Sequence, residues 1–223
     1  MRSRYLEAEL AADRAIHVVA IVVGAAAAFA IIARTAASAN ALTFCSVAVY
    51  ALALLAMLGA SAAHNCGQAR AGNELRRRLD HAAIFLMIAG TYTPFTLGIT
   101  PFTLGILSGR LAIALTAAIW IVALGGALMK LRYPRRFERL SIVLYLVLGW
   151  QGLFLVPSLL AALAGAAALL IVIGGVLYSA GAAFHIWTRL PFHSAIWHGF
   201  VVLAAGCHYA AIWQAVVLPD ARP

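Results

Sequence analysis

Charge is what this sequence has least of. Only 10% of its 223 residues are charged and seven are acidic, whereas 65% are hydrophobic. A soluble domain of this size could not cover so much apolar surface with so few polar side chains. A water-soluble globular protein is therefore excluded, and lipid is the solvent for most of the chain. A span needs about 20 mostly apolar residues, so the length holds roughly six to eight spans and no separate soluble domain. Cysteine is scarce too: Cys45, Cys66 and Cys207 are odd in number and lack metal-finger spacing. That excludes a disulfide framework and leaves free thiols acting as small apolar side chains. No apolar segment carries the continuous polar stripe that would line a water-filled channel, which argues against a pore.

What is present is a series of apolar segments, near 15–33, 41–63, 81–104, 111–129, 138–156, 158–186 and 193–217. The expected fold is all-α and integral to the membrane, a seven-transmembrane helix bundle. Residues 1–14 form an amino tail, 15–217 the membrane domain and 218–223 a short outer tail. The opening MRSRYLEAEL, an apolar run and AASAN have the outline of a signal peptide cleaved near Ala39. That run is about 19 residues, longer than the 7–15 of a signal sequence, so a retained first span is expected. TPFTLGI occurs twice in tandem, at 93–99 and 100–106. It reads as a local duplication that lengthens the end of the third span.

The net charge of +9 would suit a nucleic-acid binder, but its distribution does not. Thirteen Lys and Arg fall on one side of the seven spans (the amino tail and the second, fourth and sixth loops) and three on the other. By the positive-inside rule the amino terminus is cytoplasmic and the carboxyl terminus outside. The basic rim attracts anionic lipid head groups, and no nucleic acid is needed to explain it.

With this topology the polar residues of the spans gather at one depth. Ser61, His64 and Asn65 end the second span, Asp80 and His81 begin the third, and His193, Ser194 and His198 begin the seventh. Ionisable residues in a membrane span are costly to hold and point to function. Two chemistries fit. Either imidazoles and Asp80 hold a divalent metal such as zinc, or the groups satisfy one another in a metal-free polar core. His17 is expected at the interface, His185 at the border of the cluster, and His208 in an interhelical hydrogen bond. Tyr133, Trp187 and Trp213 read as interface anchors.

Four stretches carry a resemblance: LDHAAIFLMIAGTYTPF (79–95), LYLVLGW (144–150), GGVLYSAGAAFHIW (174–187) and AIWHGFVVLAAGCHY (195–209). Together with the seven-span pattern they resemble the hemolysin III family of the progestin and adipoQ receptor superfamily, over nearly the whole chain. The resemblance implies a zinc ion held by a histidine of an SxxxH motif on span two and an HxxxH pair on span seven. An aspartate of span three and the span-two serine accompany it. Position by position these become Asp80, Ser61 and His198, while Asn65 and Ser194 stand where two histidine ligands belong. His64 and His193 each lie one residue before a lost ligand, about 100° away around the helix.

The resemblance further implies a bacterial inner-membrane protein, named for cytolysis and related to membrane-lipid homeostasis and to intramembrane lipid hydrolases. If the chain is a metal-dependent hydrolase acting on lipid, Asp80 and Ser61 are its candidate catalytic residues. His198 is then a candidate metal ligand, with Asp80, His64, His81 and His193 as further ones. The alternative is a non-catalytic membrane-organising or signalling protein whose polar cluster fixes helix packing.

Overall fold

The chain folds entirely into helices in the computed structural model, which describes residues 2–67, 73–99, 109–133, 135–152 and 165–217. Among these there are seven α-helices: α1 (Arg2–Ser38), α2 (Ala41–Asn65), α3 (Asn73–Thr93), α4 (Gly109–Arg132), α5 (Glu138–Trp150), α6 (Gly165–Ile186) and α7 (His193–Val217). Five of them, all but α3 and α5, are long and apolar enough to cross a membrane. Their outward faces carry bare aliphatic and aromatic side chains, among them Val18, Val22, Leu52, Ile121, Leu128 and Leu203, with Phe29 76% exposed. Such a surface is tolerable only against lipid. The protein is an α-helical integral membrane protein.

Local sequence sets the helix ends. α1 is unbroken across residue 14, where the charge pattern marks the end of a tail, because LEAELAADR is made almost wholly of good helix formers. Asn40 caps α2, its side-chain oxygen accepting from the Thr43 amide at 2.9 Å. After Thr93 comes Pro94, which cannot continue a regular α-helix because it lacks an N–H and crowds the preceding turn. The chain answers with a π-helical segment, Pro94–Ile99, over most of the first TPFTLGI copy. The segment is held by Thr43 Oγ1 donating to the Gly98 carbonyl at 2.9 Å and by Thr116 Oγ1 donating to Thr96 Oγ1 at 2.7 Å. The second copy lies outside the described residues, as do parts of the expected third, fifth and sixth spans.

The helices close a ring, α1 on α2, α2 on α3, α3 on α5, α5 on α6, α6 on α7 and α7 back on α1, with α4 packed on the outside of α3. α3 lies between two cores. One joins α1, α2, α3 and α7 around Tyr50, Val47, Met57, Met87 and Ile212; the other joins α3, α4 and α5 around Phe85, Ile119, Ala123 and Leu148. α3 is the least apolar helix because its first turns, NELRRR, are charged, while the rest of it is apolar and packed between the two cores. Since lipid is as apolar as a side chain, helices in membranes associate by close packing at small residues. A Cβ at Gly126 would overlap the Phe85 ring, and one at Gly174 the His208 ring. Tyr209 on α7 donates to the Ala27 carbonyl of α1 at 3.0 Å and helps seal the ring.

At one end of the bundle a charged lattice ties α3 to the α4–α5 connection. Glu74 accepts from Arg77 at 3.3 Å and Arg135 at 3.4 Å, Arg77 also reaches Glu138 at 3.2 Å, and Arg78 donates to the Leu131 carbonyl at 2.9 Å. The hydrogen bond from Arg77, aided by the charges of Arg77 and Arg135, holds the Glu74 carboxyl below its ordinary 4.5. A depressed carboxyl contributes stability that is present above its unfolded pKa and lost as pH falls through the folded one. Melting temperature is therefore expected to decline as pH drops below about 4.5. Glu74→Gln should flatten part of that decline, and high salt should shrink the difference because the lattice is exposed. An unaltered pH profile in Glu74→Gln would refute the assignment.

Candidate functional site

The site is built at that same end of the bundle, from the early turns of α1, α3 and α7 and the last turns of α2. On α1, Asp13 and His17 are four residues apart and share a face. Both are buried, at 6% and 5% exposure. His17 Nδ1 lies 2.8 Å from the Asp13 carbonyl oxygen. A carbonyl can only accept, so Nδ1 carries the proton and Nε2 is the ring's other polar atom. That atom lies 3.1 Å from Ser61 Oγ on α2. On the other side, Asp13 Oδ1 lies 2.6 Å from His198 Nδ1 of α7, a short charge-assisted contact. The His17 and His198 rings meet edge-on, with centroids 4.4 Å apart.

Ser61 is the hub. Besides facing His17, it lies beside the Asp80 carboxyl of α3, which is 8% exposed. The Asn65 amide donates to the Ser61 carbonyl at 2.9 Å and also reaches Ser61 Oγ at 3.4 Å. His17, His64 and His198 are all close enough to bear on the charge of Asp80. Four helices therefore bring two carboxyls, two imidazoles, a hydroxyl and an amide together between apolar walls.

The other histidines are placed elsewhere. His64 Nδ1 lies 3.1 Å from Asn73 Oδ1 at an exposed junction of α2 with α3. His81 is one step of helix rotation, about 100°, from Asp80, and its carbonyl accepts from Tyr145 at 2.8 Å. His185 lies against the Trp197 ring at 5.2 Å and near His193. The chain enters α7 through Phe192 in the left-handed conformation, φ 61°, which places His193 as the first helical residue. His208 donates from Nε2 to the Ile171 carbonyl at 3.2 Å, the interhelical bond expected of it. Cys45, Cys66 and Cys207 are free thiols.

Of the residues expected together from the sequence, the structure gathers Asp80, Ser61 and His198, and it adds Asp13 and His17 from α1. The sequence places His17 at the interface, whereas α2 and α7 enclose it. The missed signal was the D-x-x-x-H spacing on α1, whose two side chains necessarily share a face. Among the described residues, Asp13, His17 and His198 form a group whose possible ligand atoms all lie within 4.8 Å of one another. The zinc set implied by the resemblance does not fit this chain. Asn65 stands at the span-two position and spends its amide on Ser61, and Ser194 stands at the span-seven position.

Comparison with known families gives the decisive observation. The family described as "Haemolysin-III related" matches residues 12–209, from the residue before Asp13 to beyond His208. The chain belongs to the haemolysin III family. It is 43% identical over 142 residues to the hemolysin-3 homolog of Bacillus subtilis (strain 168), an alignment covering 63% of each chain. It is 44% identical over 124 residues to hemolysin-3 of Bacillus cereus, covering 56% of this chain and 53% of that one. Human monocyte to macrophage differentiation factor is 31% identical over 141 residues, 60% of this chain and 53% of its own length. The chain thus spans between half and two thirds of these relatives. No solved structure matches it. The family match covers all seven helices at least in part, so the α1 residues belong to the same haemolysin III unit as His198.

Proposed function

We propose that this haemolysin III-family chain is a seven-span protein of the bacterial inner membrane. Its amino terminus is cytoplasmic, and its polar chamber acts on membrane lipid at the inner leaflet. The observation that carries the reading is the convergence of Asp13, His17, Ser61, Asn65, Asp80 and His198 at one end of the bundle. Arg77, Arg78 and Arg135 rim that end. Such a rim suits anionic head groups on the cytoplasmic side. Within the chamber Asp80 serves as base and Ser61 as its hydrogen-bonding partner, so the chemistry best supported is hydrolysis of a lipid ester or amide.

The test is fatty-acid release from nanodiscs of phosphatidylethanolamine and phosphatidylglycerol carrying the purified protein. Asp80→Asn keeps the shape of the site and removes the base, and should slow release by about 10²-fold or more. Equal release from both proteins and from empty nanodiscs would sink the catalytic reading. One observation favours a non-catalytic second reading: Ser61, Asn65, His17, Asp13 and His198 all find partners within the protein. In that case Asp80→Asn lowers thermal stability and nothing else.

A further inference from the structure

The polar groups of α1 are the part of the chamber that the family resemblance does not explain. A carboxylate and an imidazole buried on the first helix are costly there and need a purpose. They face His198, which stands where the resemblance puts a zinc ligand, at 2.6 Å from Asp13 and with the His17 and His198 ring centroids 4.4 Å apart. The two positions that would have completed the ligand set hold Asn65 and Ser194. Two donors are lost from α2 and α7, and two are present on α1.

We infer that Asp13, His17 and His198 form a divalent-cation site of zinc type, with two ligands on α1 in place of those lost from α2 and α7. Each residue offers one donor atom, two imidazole nitrogens and a carboxylate oxygen, and these atoms lie within 4.8 Å of one another. That is a set zinc accepts, and three protein ligands leave one position for water or substrate. Ligands at about 2.0–2.2 Å from one ion lie roughly 3.3 Å apart. On binding, the ion takes the place of the proton between Asp13 and His198, and their 2.6 Å contact opens towards that spacing. Ser61, bonded to Asn65, stands beside the His17 nitrogen and supplies a polar neighbour that orients such a ligand. His64 and His193, which flank the lost positions in the sequence, lie outside the group. This inference shares the site of the lipid reading but stands on metal uptake, which is measured without lipid turnover.

The experiment uses the full chain in detergent micelles, stripped with a chelator and then dialysed against Zn(II) or Co(II). Metal content is read by mass spectrometry and the Co(II) environment by visible absorption. One ion per chain is expected, with the intense absorption of a four-coordinate site. Asp13→Asn and His17→Gln should each weaken binding by about 100-fold or more, while His64→Gln and His193→Gln should bind as the unmutated chain does. Circular dichroism checks that each variant remains helical, and the stoichiometry of the unmutated protein requires no variant. Failure of that protein to take up metal would overturn the inference. So would full uptake in both α1 variants, or loss in His64→Gln or His193→Gln alone. Metal bound as expected but without fatty-acid release would retire the lipid reading and leave the site standing.

Discussion

Replacing His198 by alanine is expected to cost the metal-free bundle about 2–3 kcal/mol, the usual consequence of leaving a buried acceptor without its hydrogen-bond donor. The Asp13 carboxylate is 6% exposed and its shortest contact is the 2.6 Å bond from His198. With that bond gone the carboxylate keeps no comparable donor, since its contact with His17 Nδ1 is 3.8 Å and that nitrogen is committed to the backbone carbonyl. Asp13→Ala combined with His198→Ala should recover much of the loss, because removing both partners leaves no buried polar group without a counterpart. The coupling is measured as a double-mutant cycle in chelator-treated detergent micelles, from thermal or denaturant unfolding. Additive losses in the double variant would mean that the pair does not interact as its geometry requires.

Phe85→Ala is expected to be the most damaging substitution away from the polar chamber. Phe85 is completely buried where α3, α4 and α5 meet, its ring 4.4 Å from the Tyr145 ring and lying over Gly126. Truncating such a ring in a soluble core costs about 3–5 kcal/mol. In lipid the transfer part is smaller, because the separated helices also rest in an apolar solvent. A loss of roughly 2–3 kcal/mol is therefore expected, almost all of it from the cavity. The same geometry gives a converse: Gly126→Leu should destabilise the normal bundle through the clash, and should do less harm, or even help, in the Phe85→Ala background. Equal harm from Gly126→Leu in both backgrounds would show that α4 does not seat on Phe85.

Parts of this arrangement were legible in the sequence because they depend on near neighbours in the chain. Apolar run length gave the helices, and Asp80, Ser61 and His198 stood out as polar residues at the ends of such runs. Their grouping at one depth followed from alternating helix direction. The helix bounds were less legible where charge and helix formation disagree: residues 2–14 read as a tail by charge yet continue α1, and α3 begins at Asn73 with charged turns.

The sequence by itself determined a helical membrane protein, its family and three members of the polar chamber, because solvent preference and motif spacing are properties of local sequence. Only the tertiary structure decided that α1 closes the ring against α7, bringing Asp13 to His198 across 185 residues of chain. It also decided which of seven histidines share a chamber, leaving His81 and His64 outside the trio of Asp13, His17 and His198. The physical reason is that helix rotation within a bundle is fixed by packing, by which glycine receives which ring. One residue, about 100° of rotation, separates a buried carboxyl from a histidine facing a different neighbour.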